Sequence, residues 1–164
     1  MSGACGPCTL CCTLMRVAME PPKPERVRCA HCSTDGCGIY DDRPEVCRGF
    51  QCLWLASQRI PGHALPPAMR PDRSGVVLDL NEAMTVIAHT ERPNSWRREP
   101  MRSWLLSKAA RHNVILERDG GAALLAADER LTPLTRVGVD PDTNNRLYVR
   151  TAHLAKYHAQ EAAA

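Results

Sequence analysis

All nine cysteines of this 164-residue chain fall between Cys5 and Cys52, and the remaining two thirds hold none. They run as Cys5-Gly-Pro-Cys8-Thr-Leu-Cys11-Cys12, Cys29-Ala-His-Cys32, Cys37-Gly-Ile-Tyr40 and Arg43-Pro-Glu-Val-Cys47-Arg-Gly-Phe50-Gln-Cys52. Two thiolates separated by two residues in a tight turn face the same side and can hold one ion, while backbone N–H groups point at the sulfurs. Cys5/Cys8, Cys8/Cys11 and Cys29/Cys32 repeat that spacing. Buried structural cysteines are the plainer alternative, but they come as scattered singletons in apolar runs, not in turns rich in Gly and Pro. Cys5, Cys8, Cys11, Cys12, Cys29, Cys32, Cys37, Cys47 and Cys52 are therefore all read as candidate metal ligands.

The spacing admits two kinds of centre. Cys5, Cys8 and Cys11 have the three-thiolate spacing of a ferredoxin, and a distant cysteine such as Cys47 would complete an iron–sulfur cluster. Cys12 beside Cys11 argues the other way, because adjacent side chains point in different directions and serve different ions. Eight or nine cysteines in so short a stretch suffice for two Cys₄ sites or a polynuclear zinc cluster. Zinc, as two or more ions, is the slightly favoured expectation, since cysteine can close every coordination position and nothing in the chain points to an electron-transfer partner.

The CxxCxxCC run, followed by Cys37-Gly-Ile-Tyr40, by Arg43-Pro-Glu-Val-Cys47-Arg and by Phe50, resembles the family of zinc- or iron-chelating proteins named for that signature. The resemblance covers about residues 5 to 54, and its motifs are specific to the family while saying little about an activity. It implies eight patterned cysteines, which fall here on Cys5, Cys8, Cys11, Cys12, Cys29, Cys37, Cys47 and Cys52. Cys32 stands where the family pattern more often has Leu. A similar domain sits within a flagellin lysine methylase, which implies that such a module can serve a larger enzyme without being catalytic.

The elements that must position these residues can be read in outline. Leu10, Leu14, Val17 and Ala18 have helical spacing, so a helix is expected over 9–20, ended by Pro21, Pro22 and Pro24. Thiolates at its start would lie near the positive end of the helix dipole. Arg28, Arg43 and Arg48 stand beside later cysteines as candidate donors to an anionic centre, or as solvated surface arginines. A second helix is expected over 44–54, with Val46, Cys47, Phe50 and Leu53 on one face. Tyr40, Phe50 and Trp54 would form a hydrophobic jacket around the site. His31 lies between two ligands and would point away from their ion, supporting it from behind.

Pro61, Gly62, Pro66, Pro67 and Pro71 mark a connection, so the expected organisation is a cysteine-rich module over 1–60, a unit over 72–151 and a frayed Ala-rich tail over 152–164. In the second unit, 75–80 and 84–89 read as paired strands and 100–112 as an amphipathic helix with Met101, Trp104, Leu105 and Ala109 on one face. Strands over 114–117 and 122–126 flank the turn Asp119-Gly120-Gly121, and a weaker strand covers 146–150. The fold class is thus α+β: a small cysteine-rich, metal-bound module with short helices, then a small antiparallel sheet carrying one amphipathic helix.

Composition narrows function further. With 44% hydrophobic and only 4% aromatic residues, the core must be aliphatic. A net charge of +3, nearly all of its cations Arg, makes nucleic acid an unfavoured partner. Arg92, Arg97, Arg98 and Arg102 read as a solvated face rather than a phosphate site. No secretory signal or membrane span is expected, which places the chain in the cytosol, where thiols stay reduced. No GxGxxG, P-loop, HExxH or nucleophile-elbow motif occurs, so no catalytic residue is named. The expected function is metal binding through Cys thiolates, structural in role and with a protein partner. The alternative is an iron–sulfur or iron-dependent enzyme, or an accessory subunit of a modifying enzyme.

Overall fold

The computed structural model describes residues 6–141 and 145–163. Its first helix, α1 (Leu10–Leu14), is far shorter than the expected 9–20. The cause lies at Lys23. Val17 and Lys23 exchange backbone hydrogen bonds of 3.0 and 3.1 Å as the chain doubles back. The Lys23 ammonium then donates to the carbonyls of Thr13 (3.2 Å) and Met15, which a longer helix would have used, and to that of Pro24 (2.8 Å). The expected helix over 44–54 is likewise broken, into α2 (Glu45–Gly49) and α3 (Leu53–Ser57). Gly49 ends the first piece, where its conformational freedom disfavours continuation, and Phe50 is extended.

After α4 (Pro71–Ser74) the chain enters β1 (Val76–Leu80) and β2 (Val86–Thr90), crosses through α5 (Met101–Ala109), and continues as β3 (Val114–Arg118), β4 (Gly121–Leu125), β5 (Leu131–Val139) and β6 (Arg146–Arg150). α6 (Leu154–Glu161) follows. The six strands form one sheet in sequence order. The expectation of a wholly antiparallel sheet needs correction, because β2 and β3 run parallel while every other neighbouring pair is antiparallel. A helix between two neighbouring strands supplies the crossover that parallel pairing requires, and α5 is that helix.

Strand alternation sorts the side chains. One face presents Val76, Leu78, Val86, Ala88, Val114, Leu116 and Leu125, and it is covered by Leu65, Met69, Trp96, Met101 and Leu105, all buried. Leu53, Trp54 and Trp104 pack against the same cluster. The other face presents Val77, Ile87, His89 and Glu117. α1 lies against β1, and its Leu14 is buried. Among the described residues no helix is long and apolar enough to cross a membrane.

Candidate metal centre

Four stretches separated by loops bring their cysteines to one place. Cys8, Cys11 and Cys12 come from the start of α1, Cys29 and Cys37 from the loop that follows, Cys47 from α2 and Cys52 from the residue before α3. Backbone bonds fix them: the Cys29 amide donates to the Cys12 carbonyl (2.9 Å), and the Cys47 amide to that of Pro44 (2.9 Å). Cys32 and Cys37 form an isolated antiparallel bridge. Gly36, at φ +130°, sits so close to the knuckle that a Cβ there would lie 3.0 Å from the Gly6 carbonyl oxygen. Only glycine fits that approach.

Those seven cysteines line one cavity of about 150 Å³, together with His31, Tyr40, Arg43 and Phe50. Cys32 stands outside the lining, although its thiol hydrogen-bonds with Cys12. Cys5 lies outside the described residues. All eight described cysteines are half-buried. Among the described residues no three His, Cys, Asp or Glu side chains converge closely enough to hold one ion. The donor set nonetheless suits a thiophilic metal, being soft sulfur gathered in apolar surroundings.

The electrostatics of the cavity vary from thiol to thiol. Cys12 is drawn down to about 6, first by a hydrogen bond with Cys11; burial opposes this, while the Lys23 charge, a bond with Cys32 and the Arg43 charge assist. A thiol in that range is mostly thiolate at neutral pH, which is the form that binds metal. Burial pushes Cys8 up, against hydrogen bonds from the Leu10 and Asp72 amides. Burial also raises Cys47, and the nearby Cys12, Cys29 and Cys37 add to the rise. Lys23 is itself lowered by burial, with Cys29, Cys12, Cys11 and Cys47 pulling it back. It is a buried cation facing a field of sulfurs.

Sequence reasoning passed over Lys23. The available signal was compositional, since the chain has only Lys23, Lys108 and Lys156 against an Arg-rich background. A flexible ammonium can point its donors at several diverging carbonyls, which a planar guanidinium does less readily. Of the three arginines proposed as donors, Arg43 lines the cavity, donates to the Tyr40 carbonyl (2.7 Å) and stacks on the Tyr40 ring at 3.6 Å. Arg28 instead donates to the Ser33 carbonyl and Arg48 pairs with Glu45. The aromatic jacket also needs correction. Tyr40 and Phe50 line the cavity, whereas Trp54 turns to the sheet's apolar cluster and donates Nε1–H to the Pro66 carbonyl (3.2 Å). The break between α2 and α3 separates Trp54 from Phe50 and frees it to do so. His31 is exposed at the cavity rim.

A second polar centre was not foreseen. His89 and Glu117, neighbours across the parallel β2–β3 join, are both buried, with His89 Nδ1 2.7 Å from Glu117 Oε2. Tyr148 Oη and Arg146 also donate to Glu117. Burial would raise the Glu117 carboxyl, but the His89 bond, the His89 and Arg146 charges and the Tyr148 bond outweigh it and bring it to about 2. Tyr148 is pushed beyond the usual phenol range by burial and by the Glu117 charge. Only the two-residue strand period and a correct register for the crossover would have revealed this pairing from sequence.

Comparisons of the chain with protein-family profiles, with curated proteins and with solved structures return no match.

Proposed function

We propose that this protein is a metal-binding protein in which Cys8, Cys11, Cys12, Cys29, Cys37, Cys47 and Cys52, with Cys5 from the same knuckle, hold two or more zinc ions or an iron–sulfur cluster. The observation that carries the reading is that seven cysteines from separated stretches share one apolar cavity. The role is structural. Residues 5–52 are rich in Gly, Pro and Cys and poor in large apolar side chains, so bound metal would supply the free energy that packing does not. Lys23 and Arg43 offset the negative charge that several thiolates bring. The module works with a protein partner, for which Val27, Val46 and Ile60 leave exposed aliphatic surface. Free thiols suit a reducing compartment, and we place the protein in the cytoplasm on that ground.

A second reading, an iron–sulfur or iron-dependent enzyme or its accessory subunit, is favoured by the Cys5/Cys8/Cys11 spacing. Purification without oxygen, followed by an absorption spectrum and metal analysis, separates the two. A colourless protein with zinc supports the structural site, and a brown protein with iron and sulfide supports the alternative. Protein that carries neither metal, and takes up neither on addition, defeats both.

A further inference from the structure

Cys32 is the one described cysteine that the shared cavity leaves out, whereas Cys37, opposite it in the isolated antiparallel bridge, is among the seven that line it. The hairpin between them is closed by backbone bonds from the Ser33 amide to the Gly36 carbonyl (2.8 Å) and from the Gly38 amide to the His31 carbonyl (2.8 Å). Ser33 pins the turn a second time with its side chain. Its Oγ donates to the Gly36 carbonyl (2.9 Å) and accepts from the Asp35 amide (3.2 Å).

Those bonds decide how the two cysteines face each other. They run between the residues on either side, so Cys32 and Cys37 form a non-hydrogen-bonded pair. In such a pair the opposed Cα atoms approach to about 4.5 Å and both side chains leave the ribbon on the same side. A disulfide spans Cα separations of roughly 4.4–6.8 Å, so this backbone can carry one without rearrangement. Both residues are half-buried free thiols. The contacts of the Cys32 thiol are weak, a 3.8 Å approach to the Ser33 carbonyl at an exposed position and the bond with Cys12. Cys12 is the competing partner, but it lies in α1 and its carbonyl accepts from the Cys29 amide, so its backbone is paired with Cys29 rather than held opposite Cys32.

We propose that Cys32 and Cys37 are a redox pair, which a small-molecule disulfide such as oxidised glutathione converts to a reversible protein disulfide that withdraws Cys37 from the cavity. The Cys32 sulfur, on losing its proton, attacks one sulfur of the oxidant and expels one thiolate. The Cys37 sulfur, also deprotonated, then attacks Cys32 in the mixed disulfide and expels the other. Two protein thiols are oxidised, the oxidant is reduced to two thiols, and the two protons end on those thiols. The new bond closes a short loop and stays partly accessible, so it constrains the unfolded chain little and free thiol can reduce it again. The bond stands on the hairpin geometry alone, whereas its consequence for metal rests on the proposed reading of the cavity.

The test uses the full-length protein as purified without oxygen. It is incubated with oxidised glutathione, its remaining thiols are alkylated, and its disulfides are mapped by mass spectrometry. Cleavage after Arg28 and Arg43 leaves Cys29, Cys32 and Cys37 in one peptide, and further cleavage at Asp35 parts Cys37 from the other two unless a disulfide joins them. The expected result is a joined pair in which Cys29 is alkylated, formed as the predominant protein disulfide and lost on adding reduced glutathione. Metal content should fall as the bond forms, and Cys32→Ser, treated alike, should keep its metal and an alkylated Cys37. Predominance of Cys12–Cys32 or Cys29–Cys32, a mixed disulfide that goes no further, or no reaction overturns the proposal. So does equal metal loss in folded Cys32→Ser; if that variant does not fold by circular dichroism, the wild-type map decides. Protein that forms the Cys32–Cys37 bond but never carries metal supports the redox pair and defeats the metal-binding reading instead.

Discussion

Arg26 and Glu117 stand 91 positions apart in the chain, yet the Arg26 Nη2 donates to the Glu117 carbonyl at 3.3 Å. With its second bond to Thr90, this side chain pins the cysteine-bearing segment to two strands of the sheet at once. Removing it leaves two carbonyls short of a donor in a partly buried place. Arg26→Ala should therefore lower stability by about 1–3 kcal/mol. Arg28→Ala, which touches only the exposed Ser33 carbonyl, should change it by less than about 0.5 kcal/mol. Urea unfolding of the two variants checks this, and equal effects would refute the pinning role.

The folded-state value of Glu117, about 2, lies below its ordinary value of 4.5. Its contribution is thus fully present above the ordinary value and is lost as pH falls from there through about 2. Integrated over that shift, it amounts to roughly 3 kcal/mol. Asp72, lowered by its Arg70 hydrogen bond, acts in the same direction but is common to wild type and Glu117→Gln. Unfolding free energy measured against pH should fall more steeply in acid for the wild type than for Glu117→Gln. Parallel curves would show that the carboxylate is not held as described.

Trp96 and Trp104 should differ sharply in weight. Trp96 is 1% exposed in the sheet's main cluster, whereas Trp104 only packs against its edge. Trp96→Ala should cost about 3–5 kcal/mol and Trp104→Ala clearly less. Thermal unfolding followed by circular dichroism would reveal the order, and a larger loss at Trp104 would place the core elsewhere.

Cys8→Ser and Cys11→Ser should each lower metal content by about one ion or abolish a cluster, since each removes a thiolate from the shared cavity. Cys32→Ser should do less, because Cys32 lies outside that lining. Metal analysis of the three purified variants gives the answer. An equal loss at Cys32 would make it a ligand too.

What could be read from the chain alone was local. The turn Asp119-Gly120-Gly121 forecast the β3–β4 hairpin, and the apolar spacing of Met101 and Leu105 forecast the buried side of α5. β5 escaped notice because Pro133 and Gly138 interrupt it, although Pro133 pairs with Ala123 well inside the sheet. α1 was overestimated because its apolar spacing continues past Leu14, while the side chain that ends it arrives from Lys23 on the returning strand. The cysteine spacing anticipated that these side chains gather, and seven of them line one cavity with Cys32 outside it. The Lys23 ammonium beside that cavity and the His89–Glu117 pair were not anticipated, because each depends on a fold-back or a crossover that no short stretch encodes.

The pin at Arg26 also bears on the order in which the protein is made. A ribosome releases the cysteine-bearing segment first, and the last of its two anchoring carbonyls, that of Glu117, follows 91 residues later. At the usual pace of translation that interval is roughly 5–20 s. Throughout it, the thiols of Cys8 through Cys52 stand without the sheet against which their segment docks. Nascent chains therefore pass a window in which oxidation of these thiols competes with correct assembly, and on the proposed metal-binding reading an ion supplied during synthesis, rather than after it, would close that window.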